Sequence, residues 1–219
     1  MPNWCSNEVT IRGPKEILDK LEEMANKQEL LGFIQPEPDY SVTPVPKACP
    51  EVAAMFAKTP EEREKALKNE PTIRDDSWWD WRILNWGTKW EPVIDCDRLH
   101  DPEILRLVFS SAWSPPVESY QAIMDKYEGV SVQALYFEPG CQFAGLFDAG
   151  VNTCINTSET PIEFYENSHI GRLLDEAFGM VDHIKYIEEM EREWEEKQKE
   201  KEHDPKKIDY KEYKEVTNA

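Results

Sequence analysis

The stretch WWDWRILNWGTKW, Trp78 to Trp90, carries five tryptophans in thirteen residues, with Lys89 among them. Indole faces stack on planar groups and attract cations, so this composition suits a flat ligand or a cation–π pair. Lys89 would add a full positive charge. Three other segments hold compatible groups: Trp4 in MPNWCSN, Trp113 and Ser114 in SAWSPP, and Glu138 in YFEPG. Ser114, just ahead of Pro115, reads as a helix cap, and free N–H groups at a helix start suit an anion. Asn85 and Glu138 could hydrogen-bond the edge of a base or sugar. The candidate ligand-binding set is therefore Trp4, Asn85, Trp86, Lys89, Trp90, Trp113, Ser114 and Glu138, and a small planar anion such as a nucleotide matches it. Neither a P-loop nor a G-x-G-x-x-G run is present, so a nucleotide would not sit in a recognised cradle.

Catalytic chemistry finds less support. His100, His169, His183 and His203 lie in a turn, at or in the last helix, and in the tail, and none neighbours a serine or cysteine in a nucleophile motif. Carboxylates are too abundant for any one pair to stand out. Cys5, beside Trp4, is the single nucleophile worth testing. The cysteines (Cys5, Cys49, Cys96, Cys141, Cys154) are odd in number and scattered, which fits reduced thiols better than a disulfide framework or a zinc site. No catalytic residue, metal or cofactor is expected, and the protein is read as binding rather than turning over a substrate.

The formal net charge of −19 argues against a general nucleic-acid binder, whose affinity comes from cations at phosphates. It leaves two cases: a small anion held in a local positive pocket, or an acidic body that masks a basic site on a host protein, as an inhibitor or nucleic-acid mimic would. No apolar run approaches the ~18 residues of a membrane span, and MPNWCSNEVTIRG lacks the basic and apolar regions of a signal peptide. A cytoplasmic location is expected.

What would position these residues is a set of short elements. Residues 8–12 alternate as a strand ending at Gly13, and 14–27 read as a helix with Ile17, Leu18, Leu21 and Met24 on one face. Pro36, Pro38, Pro44, Pro46 and Pro50 forbid regular structure between them. Helices are predicted over 51–58 and, capped by Thr59, to about Asn69. PVIDCDRL and EILRLVFSSAW read as strands joined at HDP, 114–129 as a helix, and VSVQALYFE as a strand. EPGC suggests a type II turn. QFAGLFD and VNTCINT continue as a meander, and one helix is predicted from about Ile170 to His203, fraying into a disordered tail at Asp204.

With residues 28–91 set aside, the order is that of a split β-α-β unit: an α+β ferredoxin-like sandwich, its antiparallel sheet extended by the meander. Right-handed crossovers give the spatial order 4-1-3-2. The first two strands then begin, and the third and fourth end, at the same pole. Trp4, Trp86, Trp90 and Trp113 must converge there with Lys89, Ser114 and Glu138. The domains follow as 1–160 for the sheet with its insertion, 161–203 for a helical extension and 204–219 for the tail.

MPNWCSN, NWGTKW, SAWSPP and YFEPG with FAG, taken in order, resemble the signature segments of the YubB ferredoxin-like family of phage and plasmid proteins. The resemblance spans Met1 to about Asn156 and implies the ferredoxin-like core and a mobile-element origin. It supplies no activity and no catalytic residue. The resulting expectation is an accessory protein that binds through its tryptophan-rich pole. A small-ligand pocket, a protein-docking surface and plain packing of the 28–91 insertion on the indoles all remain open readings of that pole.

Overall fold

Alternation of side chains decides the sheet. In β1 (Trp4–Arg12), Cys5, Asn7, Val9 and Ile11 are buried while the residues between them are not. One face of the strand is therefore core and the other is outward. The computed structural model describes residues 2–98 and 101–202. In it β1 lies between β3 (Ile104–Ala112) and β4 (Ser131–Glu138). β2 (Ile94–Asp97) flanks β3, and β5 (Phe143–Asp148) and β6 (Val151–Asn156) extend the far side, giving the antiparallel order β2-β3-β1-β4-β5-β6. The expected 4-1-3-2 core is present, and the fold is ferredoxin-like.

Helices α1 (Lys15–Asn26) and α6 (Val117–Lys126) cover one face of this sheet. Leu18, Leu21, Tyr120 and Ile123 meet Val9, Ile11, Leu105, Leu107, Val132, Ala134 and Phe147 in one core. The 28–91 insertion contains α2 (Leu30–Ile34), α3 (Pro50–Met55), α4 (Pro60–Lys68) and α5 (Ser77–Asn85). Leu30 and Ile34 of α2 join the main core. Thr59 closes a capping box with Glu62, as its spacing predicts.

Several local predictions need correction. β1 begins four residues before the predicted Glu8, because Cys5 and Asn7 continue its inward alternation. The first part of the tryptophan-rich stretch, unassigned from sequence, lies in α5, which ends at Asn85. The EPGC turn is not type II: Gly140 lacks a positive φ, and the positive value falls instead at Gln142, φ 58°. The Glu138 carboxylate reshapes the turn by accepting hydrogen bonds from Gly140 N (2.8 Å) and from Cys141 N. Ala149 and Gly150, both at positive φ, make the DAG hairpin turn type I′.

The chain divides into two compact units, Met1–Thr160 and Pro161–Ala219. In the second, the helix predicted from about Ile170 is two, α8 (His169–Phe178) and α9 (Met180–Glu202), and an unpredicted α7 (Ile162–Asn167) precedes them. Ser168 Oγ caps α8 by accepting from Gly171 N at 2.8 Å. Gly179, at φ 63°, ends it in the left-handed conformation that glycine adopts without a Cβ penalty. The predicted tail from Asp204, together with His100 and His203, lies outside the described residues.

Candidate functional site

The pole assembles as the strand order requires. Trp4 pairs with Ala112 across β1 and β3. Trp113 N donates to Asn3 O at 3.0 Å, and Asn3 Nδ2 donates to Cys141 Sγ at 3.3 Å. The NWGTKW loop is stapled to the end of β3: Ala112 N donates to Thr88 Oγ1 (3.1 Å), Thr88 Oγ1 donates to Ala112 O (3.0 Å), and Ser114 Oγ donates to Gly87 O (2.5 Å). Four distant segments thus meet at one end of the sheet.

The indoles nevertheless part company there. Trp86 is buried, donates from Nε1 to Gln35 O at 2.9 Å, and meets Trp81 edge-on at 5.9 Å. It anchors the start of the insertion. Trp4, Trp90 and Trp113 stay exposed at 51%, 37% and 47%. Trp4 belongs to the outward set of β1, on the sheet face away from α1 and α6.

On that outer face lies a cavity of about 470 Å³, within the range of small-molecule sites. Its floor is small, Ser110 and Ala112 of β3. Trp4 walls one side, and Trp90, Pro92 and Val93, on the run into β2, wall the other. The register explains the gap: Trp4 sits opposite Ala112, and Ile94 opposite Phe109, so small β3 side chains lie between two bulky margins. Lys89 Nζ stands 4.4 Å from the Trp90 ring centroid and 5.8 Å from that of Trp78. Among the described residues, no ion pair engages it. Glu91 also lines the cavity, but its carboxylate accepts from Leu31 N (2.6 Å) and Gly32 N (3.0 Å). Burial pushes its carboxyl above the usual range, and the two N–H donors offset only part of that rise.

Four expected site residues work elsewhere. Glu138 is buried and spends its carboxylate on the Gly140 and Cys141 amides, so it presents no edge to a ligand on the outer face. Asn85 Nδ2 donates to Trp81 O one helical turn back, at 2.8 Å. Ser114 does not cap α6; Pro116 occupies the cap position, and the Ser114 hydroxyl is bound to Gly87 O. Trp86 is the anchor just described. Of the predicted set, Trp4 and Trp90 share the outer cavity, with Lys89 beside Trp90.

Arg82 is a second cation that lies over two indole rings. Its guanidinium carbon lies 5.2 Å from the Trp78 centroid and 4.8 Å from that of Trp86. Nη2 bonds Glu37 Oε1 at 2.6 Å, and Nη1 donates to Lys89 O at 3.3 Å. Burial raises the Glu37 carboxyl, but the hydrogen bonds from Arg82 and Tyr40 outweigh it and hold the group below its ordinary value. Tyr40 meets Trp81 edge-on at 6.4 Å, completing the dock for the proline-rich segment. Spacing carried this signal: Trp78, Arg82 and Trp86 are four apart and share a helical face once the segment is read as a helix.

Cys5 is fully buried, and burial, reinforced by Glu138, pushes its thiol up to about 12. A thiol held there is neither exposed nor ionised near neutrality. In the native protein, iodoacetamide at pH 8 should label the exposed Cys49, Cys141 and Cys154, and Cys5 roughly 100-fold or more slowly. Mass mapping that found Cys5 labelled as fast as Cys141 would contradict this burial.

The described residues contain no group of three or more His, Cys, Asp or Glu side chains placed to hold a metal ion. None of their helices is long and apolar enough to cross a membrane. No curated protein matches the chain. A crystal structure of protein Api92 from Yersinia pseudotuberculosis is similar at a TM-score of 0.38 and 13% identity, covering 74% of this chain and 100% of that one. The matching family model names neither the YubB family nor a phage or plasmid source. Residues 85–188, from the tryptophan-rich loop into α9, are similar to the family described as the ferredoxin-like domain in Api92-like protein.

Proposed function

We propose that the protein acts by binding, and that the groove between Trp4 and Trp90 takes a small planar anion of nucleotide type. The observation that carries this reading is two exposed indoles, Trp4 and Trp90, lining one cavity together with the small residues Ser110 and Ala112. A flat ring can enter such a slot and stack. Lys89, with no ion pair among the described residues, would supply the charge for an anionic substituent. The Glu91 carboxylate would not compete, being occupied by amides of α2. The sequence resemblance supports a mobile-element origin for this accessory role, in a bacterial cytoplasm.

A thermal-shift panel of purine and pyrimidine nucleotides tests the reading. Ligand at a hundred times its Kd adds about 2.7 kcal/mol to stability, a shift of roughly 5–10 °C for a unit of this size. Stacking on one indole is worth about 1–3 kcal/mol. Trp4→Ala or Trp90→Ala should therefore weaken binding about 5- to 150-fold, and Lys89→Ala with Trp90→Ala should remove the shift. A shift that survives the double change rules out this groove.

The net charge of −19 supports a second reading, an acidic surface that masks a basic host protein. In that case no nucleotide shifts the melting temperature. A basic partner would instead be retained from host lysate and released as salt screens the contact.

A further inference from the structure

On the helix-covered face of the same pole lies another cavity, of about 370 Å³. Two glycines shape it. A Cβ on Gly145 would fall 2.3 Å from Tyr136 Oη and 2.4 Å from Thr153 O. Its absence lets the Tyr136 ring lie across β5 and donate to Asn152 Oδ1 on β6, at 2.8 Å. A Cβ on Gly87 would fall 2.1 Å from Glu118 Oε2. That glycine, at φ 80°, leaves the space in which the Glu118 carboxylate sits at the mouth of the cavity. Both gaps place an oxygen where a side chain would otherwise be.

The polar inventory is biased toward acceptors. Tyr136 Oη donates its proton to Asn152 and is also in hydrogen-bond contact with Cys154, which leaves it a lone pair. Asn152 Oδ1 retains acceptor capacity, and Glu118 brings a carboxylate. Among the described residues, no lysine, arginine or histidine forms an ion pair with Glu118. Apart from Ser114 and Cys154 the remaining lining is apolar, with Phe143 and Pro115 as flat walls, and Phe143 meets Tyr136 edge-on at 6.1 Å. We propose that this cavity binds a flat organic cation of the amidinium or guanidinium class, its N–H edge on Glu118 and its body against Phe143 and Pro115. Such a fork of donors matches a carboxylate in two parallel bonds, and an aromatic wall favours the charge further. Crowding by protein pushes the Glu118 carboxyl upward, a shift that a bound cation would reverse.

The site is independent of the outer groove and can stand or fall without it. Benzamidine is the probe, titrated into the full chain at pH 7 and followed by amide chemical shifts, with benzoate as the anionic counterpart. Benzamidine should bind saturably at about 1–5 mM, moving resonances near Gly87, Glu118, Gly145 and Cys154, while benzoate should not. Glu118→Gln should weaken binding about tenfold or more, since it removes the charge from a side chain that, among the described residues, makes no ion pair. Asp95→Asn, a charge change on exposed β2, should leave the affinity in place, as should Trp4→Ala. Affinity should also fall as acid protonates Glu118. The proposal is overturned if Glu118→Gln binds as well as the parent, if the shifts map elsewhere, or if nothing saturates by about 20 mM.

Discussion

Asp80→Ala should destabilise the insertion by about 3–5 kcal/mol, the cost of removing one partner from a buried ion pair. Asp80 is fully buried in α5. Its Oδ2 faces Arg74 Nη2 and lies 3.1 Å from Lys47 Nζ, while Oδ1 accepts from Ala48 N at 2.9 Å. Arg74 in turn donates to Val45 O at 2.9 Å, beside the isolated bridge between Val45 and Thr72. One carboxylate therefore ties the proline-rich segment and the run before α5 to the tryptophan helix. Without it, Arg74 Nη2 and the Ala48 amide lose their acceptor together, and Arg74 and Lys47 keep only the exposed Asp76 as a carboxylate partner. Denaturant unfolding followed by tryptophan fluorescence should shift to lower midpoint, and proteolysis should cut between 36 and 76 first. Asp80→Asn, which keeps an acceptor for Ala48 N, should lose less. Proteolysis of the alanine variant at the parental rate would refute the role of Asp80 as a tether.

Acid should loosen the same region. Glu37 has its carboxyl held below the ordinary 4.5, so its contact with Arg82 contributes fully above that ordinary value. The contribution is lost as pH falls through the lower folded value, because the unfolded chain takes up the proton first.

The second large effect lies under the sheet's end. Asn7 is buried on the core face of β1. Its Nδ2 donates to Cys5 O (2.8 Å) and Ser111 Oγ (2.9 Å), and its Oδ1 accepts from Tyr120 Oη (3.0 Å). Asn7→Leu strands the Tyr120 hydroxyl in a dry core and leaves the Cys5 carbonyl only the longer contact from Ser111 Oγ, at 3.5 Å. A stranded group costs about 1–3 kcal/mol, so a loss of roughly 2–4 kcal/mol is expected once the weakened carbonyl is included. Adding Tyr120→Phe should return about 1 kcal/mol or more, since removing both partners is milder than orphaning one. Equilibrium unfolding of the four-member cycle reads this directly. A double variant no more stable than Asn7→Leu would mean that the Tyr120 hydroxyl finds another partner.

Order and periodicity carried much of the fold. The alternation over residues 8–12, the facing stripe of Leu18 and Leu21, and the sequence of strands and helices were enough to specify the sheet order and the meeting of four segments at one pole. That follows because connections are short and crossovers have one hand. Local capping was legible where both halves of a motif are adjacent, as at Thr59 and Glu62. It was not legible at Ser114, whose hydroxyl is drawn to Gly87 O by a loop 27 residues away. The break at Gly179 was also missed, since charge and apolar spacing continue across it.

What composition determined at the pole was the presence of rings, cations and carboxylates; what the tertiary structure decided was which of them face each other. Neighbouring strand residues point to opposite sides, so Trp4 looks outward while Cys5 beside it is core. Trp86 turns inward because Gln35, on the far side of the insertion, offers its carbonyl. Arg82 as well as Lys89 comes to lie over two indoles, because the run from Trp78 coils into a helix. Glu138 serves its own turn, while Glu118 stands open across from Tyr136 in a gap made by two glycines that lack a Cβ. Such pairings depend on contacts between residues far apart in the chain, and no local spacing encodes them.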